Sequence, residues 1–158
     1  MFNRLLPRRL DSTYRGDTPA LWLFGLVVSV KIAQSLGAIF DGYTTAIVAD
    51  GIPLDTFSPA AGHAMLSVFA RLGLRHLMFC LFGLLVLVRY RALIPLMFAL
   101  FLLELVGVKV ILWFMPMIGT GTPIGSYVNL ALIAVAAVGF ALSLRSDARP
   151  PIDSNGGS

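Results

Sequence analysis

The stretch ALIPLMFALFLLELVGVKVILWFM, residues 92–115, decides the fold. In twenty-four positions it holds two charged residues, Glu104 and Lys109. About twenty apolar residues cross a hydrocarbon layer of about 30 Å as a helix, and a soluble core needs no run of this length. Pro95 falls in the first turn, where its missing N–H is tolerated. Arg89 and Arg91 stand just before the stretch, and the turn formers Pro116, Gly119, Gly121, Pro123 and Gly125 follow it. The pattern predicts a transmembrane helix with a tight basic connection at one end and a short loop at the other.

The rest of the chain repeats this character. Its 158 residues are 58% hydrophobic and 13% charged, against about 45–50% and about 25% in soluble domains. A single small domain is expected. Three further apolar runs predict spans over about 19–40, 69–88 and 126–144, with residues 60–68 as an extension of the second helix outside the membrane. Asp17 and Thr18 before Pro19 form a helix-start signal, a capping side chain followed by proline in the first turn. Trp22 serves as an interface anchor. A cleaved signal peptide fits this region poorly, because the run is too long and is interrupted by Lys31 and Gln34. Residues 1–18 are polar and basic, with Phe2, Leu5, Leu6 and Leu10 between arginines. They suit a short stretch resting on headgroups, although Pro7 opposes one regular helix. The tail 145–158 is rich in Pro, Ser, Gly and Asn and is expected to be disordered.

Orientation follows from Lys and Arg in the short loops. The N-terminal segment has Arg4, Arg8, Arg9 and Arg15, the 89–91 connection has Arg89 and Arg91, and the tail has Arg145 and Arg149. Loop 41–60 and loop 116–125 have none. Each count agrees with an all-α bundle of four antiparallel transmembrane helices, both chain ends in the cytoplasm. The compact, loop-poor design suggests a bacterial inner membrane. The net charge is +4, but the basic residues flank apolar runs and form no stripe with interleaved aromatics. Nucleic acid is therefore not expected as a partner, and the charges read as orientation signals.

Five charges remain for the membrane interior: Lys31, Arg71, Arg75, Glu104 and Lys109. Each would cost several kcal/mol facing lipid. At about 1.5 Å per residue, Lys31 and Glu104 lie roughly 18 Å from the cytoplasmic edge and Arg75 about 20 Å, with Arg71 and Lys109 near 25 Å. Three helices thus bring charge to one level in the outer half of the bilayer. Lys31, Gln34 and Ser35 share one face of the first helix, and Arg71 and Arg75 share a face of the second, with His76 adjacent. Lys109 is close enough to the outer edge to snorkel. Glu104 is not, so it should face the interior with Lys31 or Arg75 as partner. Loop 41–60 has three aspartates, Asp41, Asp50 and Asp55. Counting Glu104 with them makes the outer half formally neutral, so the loop is expected to fold over the bundle and offer carboxylates to Arg71, Arg75 or Lys109.

Candidate ligand-binding residues are therefore Lys31, Gln34, Arg71, Arg75, His76 and Glu104. The same groups are also what a purely structural ion pair between helices would show. No catalytic residue, metal site or cofactor is expected. The histidines His63 and His76 are far apart, Cys80 is the lone cysteine, and the Gly119–Pro123 run resembles a phosphate loop only in composition. Cys80 reads as a small core or lipid-facing residue. Ala33 with Gly37, Ala137 with Ala141 and Gly139 with Ser143 have the four-residue spacing that admits close helix approach, within the chain or to a second copy. Three function classes follow. The first is a small binding or accessory protein recognising a lipid headgroup, a small anion or a partner helix. The second is a small oligomeric transporter with Glu104 as coupling carboxylate. The third is a membrane enzyme acting on a lipid or quinone. The first is preferred, because no catalytic constellation stands out.

Overall fold

A computed structural model describes residues 16–116 and 123–145. The basic segment 1–15, residues 117–122 and the tail from 146 onward lie outside these residues, and the expectations about them with it. Among the described residues there is no strand. Four helices are long and apolar enough to cross a membrane: α1 (Thr18–Phe40), α2 (Pro59–Arg89), α3 (Ile94–Phe114) and α4 (Ile124–Leu144). The chain is a multi-pass, all-helical membrane protein.

Helix starts follow local chemistry, with one correction. Asp17 is extended at the N-cap of α1 and Pro19 sits in the first turn, but the Asp17 side chain makes no capping hydrogen bond. Its backbone substitutes: the carbonyl accepts from the Ala20 N–H at 3.0 Å, and its own N–H donates to the Leu142 carbonyl at 3.4 Å. At α2 the side chain does cap, with Ser58 Oγ accepting from the Ala61 N–H at 3.3 Å ahead of Pro59. That cap starts α2 at Pro59, one residue before the 60–68 stretch expected to extend the second span. The helix has 31 residues and so runs about 46 Å, well beyond the hydrocarbon thickness. Tyr90 ends it, and a 3₁₀ turn, Arg91–Leu93, leads straight into α3.

Residues 41–58 are more ordered than their turn formers suggest. A helical turn, Gly42–Thr44, continues as a π-helical turn, Thr45–Ala49, and a 3₁₀ turn covers Leu54–Thr56. Gly51 between them has φ 68°, a left-handed conformation that a side chain would strain. Ala46, Ile52 and Leu54 are buried against Met65, Leu66 and Phe69, so this loop sits on the first turns of α2.

In the main bundle α1 packs along α2 and against α4, and α3 packs along α4. The backbones of α2 and α3 approach at few points. Side chains span the gap, with the Phe79 and Phe101 ring centroids 4.8 Å apart. Phe24 meets Phe98 edge-on at 5.1 Å, and both are fully buried. Lipid tails are as apolar as leucine, so close packing rather than water exclusion holds such helices together. Glycines supply it. A Cβ on Gly73 would lie 2.9 Å from Ala38 Cβ, and one on Gly139 would lie 2.3 Å from the Phe98 ring. Gly139 and Ser143 are buried inside the bundle, whereas Ala137 and Ala141 are exposed. Of the small-residue pairs, Gly139 with Ser143 therefore serves internal packing.

Gly125, at the start of α4, holds the α1–α2 loop. A Cβ there would lie 2.6 Å from the Ala49 carbonyl oxygen, a backbone atom that yields only if the loop moves. Gly125→Ala is expected to cost about 1–2 kcal/mol. Limited proteolysis within residues 41–58 should accelerate, while helix content by circular dichroism stays unchanged.

Candidate functional site

Lys31 lies on the inward face of α1 and is 6% exposed. The face is fixed by its neighbours: Phe24, Val27, Val28, Ser35 and Ala38 are buried at helical spacing. Ser35 Oγ donates to the Lys31 carbonyl at 2.8 Å, so the hydroxyl is satisfied within its own helix. Lys31 Nζ donates to Glu104 Oε1 on α3 at 3.4 Å.

The same carboxylate oxygen lies 3.1 Å from His76 Nδ1 on α2. With Nδ1–H donating to the carboxylate, a neutral imidazole keeps its lone pair on Nε2. His76 Nε2 is buried and has no hydrogen-bond partner among the described residues, and Glu104 Oε2 is in the same condition. One shared oxygen therefore joins α1, α2 and α3, while two polar atoms beside it stay unsatisfied. One layer further along, Gln34 Nε2 donates to Asn129 Oδ1 at 3.4 Å and ties α1 to α4.

The structure brings together Lys31, His76 and Glu104, with Gln34 nearby, and leaves Arg71 and Arg75 apart. Lys31 is thus the partner of Glu104, and Arg75 is not. Arg75 is exposed and forms no ion pair among the described residues. Arg71 is also exposed, and its Nε donates to the Ser67 carbonyl at 3.1 Å. The reason is angular. His76 is one residue beyond Arg75, about 100° further round α2, and that step turns the imidazole inward and the guanidinium out. His63 is exposed. Cys80 is fully buried in the core.

Beside the ion pair is a cavity of about 320 Å³, lined by Lys31, Asp50, Glu104, Lys109, Ser126 and Asn129 with apolar walls from Leu105, Val108 and Leu112. Four of these polar residues lie outside the set singled out in the sequence. Asn129 is the polar interruption near one end of an otherwise apolar run, and that was a usable signal. Lys109, expected to snorkel away, is half-buried and turns to the cavity. Asp50 was expected only as a loop carboxylate reaching for Arg71, Arg75 or Lys109, and it lines the cavity instead.

The expected aspartate lid needs correction. The loop does fold onto the bundle, but through apolar contacts and the Gly125–Ala49 approach. None of its aspartates pairs with Arg71, Arg75 or Lys109 among the described residues. Asp55 instead accepts from the Tyr43 hydroxyl at 2.6 Å, which raises the Tyr43 pKa above its usual value. Asp41 is exposed. Burial at the cavity wall raises the Asp50 pKa above its ordinary value of 3.8.

Asp50 therefore yields a pH prediction. Its folded form holds a proton more tightly than its unfolded form. Its contribution is full at pH below 3.8 and is lost as pH rises through the higher folded value. Asp50→Asn is expected to raise the melting temperature at pH 7, and the gain should shrink towards pH 4. A lower melting temperature at pH 7 would show Asp50 to be paired.

Among the described residues no group of three His, Cys, Asp or Glu side chains lies placed to hold a metal ion. No family model matches the chain, and no characterised protein or solved structure matches it either.

Proposed function

We propose that this chain is a small binding protein of the bacterial inner membrane. Its four helices run antiparallel with both ends in the cytoplasm. The cavity beside the Lys31–Glu104 pair receives a small anion or lipid headgroup from the outer side. The alternation of basic and base-free loops supports the orientation. Reporter fusions at the two termini should both report the cytoplasm. Single cysteines placed in residues 41–58, in a Cys80→Ala background, should label from outside. Termini on opposite faces would overturn the orientation.

The observation that carries the binding function is the cavity itself. Its size, about 320 Å³, is at the small end of ligand pockets, which run about 300–1,000 Å³. It combines a few polar groups with apolar walls. Lys109 contributes a half-buried ammonium with no carboxylate paired to it among the described residues, a natural partner for phosphate or carboxylate. Binding of glycerol phosphate or phospholipid to the purified protein should be lost in Lys109→Met without any fall in melting temperature. Equal binding by that variant would remove the cavity from consideration.

Transport with Glu104 as coupling carboxylate is the second reading. It draws on Glu104 Oε2 and His76 Nε2, two buried polar atoms with no hydrogen-bond partner among the described residues. It predicts that a pH gradient drives solute uptake into proteoliposomes and that Glu104→Gln abolishes this.

A further inference from the structure

The charges on the cavity wall divide into two classes. Lys31 and Glu104 compensate each other at 3.4 Å. Lys109 from α3 and Asp50 from the α1–α2 loop line the same cavity, and neither forms an ion pair with any described residue. Both are half-buried. A partly dehydrated charge is costly until a counter-charge reaches it. The cavity thus holds one uncompensated ammonium and one uncompensated carboxylate on separate elements, within a formally neutral set of four.

A simple anion would satisfy Lys109 but be repelled by Asp50. A simple cation would do the reverse. Either would also leave a net charge in a site with apolar walls. A molecule carrying both signs answers both wall charges and adds no net charge. Ser126 and Asn129, from α4, line the same cavity and offer neutral hydrogen-bonding groups. The small volume restricts the ligand to a compact head.

We infer that the cavity selects a compact zwitterion, with its ammonium at Asp50 and its phosphate or carboxylate at Lys109. The assignment holds only if the cavity is a ligand site at all, as proposed for the function. The chemistry is shared by an ethanolamine phospholipid headgroup and by free solutes such as phosphoethanolamine or glycine.

The test uses the full chain and matched probes. In detergent, phosphoethanolamine is compared with glycerol phosphate, and glycine with acetate, by calorimetry and thermal shift. In nanodiscs, phosphatidylethanolamine is compared with phosphatidylglycerol by native mass spectrometry. A charge-assisted contact at Asp50 should favour at least one zwitterion over its anionic counterpart by about tenfold or more. Asp50→Asn, expected to fold at least as well as the parent, should erase that preference, weakening the zwitterion and relieving the repulsion felt by the anion. Preference in nanodiscs alone identifies a lipid headgroup as the ligand, and preference in detergent identifies a free solute. If anions bind as tightly as zwitterions, the anion site stands and the zwitterion is overturned. If none of the probes binds, both fall.

Discussion

Glu104→Gln is expected to destabilise the protein by about 3 kcal/mol, read as a clear drop in melting temperature in detergent. The side chain is 30% exposed, but its partner Lys31 is only 6% exposed. Removing the carboxylate leaves a buried ammonium with no counter-charge, which is far costlier than never having had the pair. A glutamine oxygen still accepts one hydrogen bond, from Lys31 or from His76, so the loss should sit at the lower end of the range for broken buried pairs. Lys31→Met should cost less, since Glu104 is better hydrated and keeps His76 at 3.1 Å. The double variant Lys31→Met/Glu104→Leu should recover most of the loss, because no charge then remains to be buried. Melting curves for all three variants separate these cases. A Glu104→Gln protein that melts with the parent would mean that Lys31 reaches water in the membrane. A double variant that recovers stability but not ligand binding would give the pair a role in the site as well as in the fold.

Gly139→Ala should be comparably damaging, for a steric reason. An added Cβ would meet three atoms of the Phe98 ring at 2.3, 2.6 and 3.2 Å. A flexible chain end could move aside. Phe98 cannot, because its ring is fully buried and lies edge-on against Phe24, itself fully buried. The α3–α4 contact must therefore open, at a cost of about 2–3 kcal/mol. Phe98→Leu in the same chain should restore part of the loss, since the two sites share one contact and their effects should not add. A melting temperature for Gly139→Ala equal to that of the parent would show α4 able to shift freely along α3. Ala137→Leu, on the exposed side of the same helix, is the control and should be nearly neutral.

Much of the site's height was legible in the residues. Lys31 and Glu104 meet across α1 and α3, as their matching step counts from boundaries marked by basic residues led one to expect. Which charge would face which was less accessible. Lys31 and Arg75 both met the depth criterion as partners for Glu104, and His76, a candidate ligand-binding residue beside Arg75, supplied the second contact. Charge counting also suggested pairs between the loop aspartates and the basic residues, but a balanced total does not say which charges touch. Asp55 turned to Tyr43, and Asp50 turned to the cavity beside Lys109 without reaching it.

The amino-acid order alone determined the number of long apolar helices and brought Lys31 and Glu104 to a common level. Hydrocarbon rejects unpaired backbone, and every residue of a helix advances it by a constant step. Only the tertiary structure decided the rotation of each helix about its own axis, and hence the pairing and the cavity. Turning a helix breaks none of its internal hydrogen bonds. The angle is set instead by interhelical packing at Gly73 against Ala38 and Gly139 against Phe98, contacts between residues far apart in the chain.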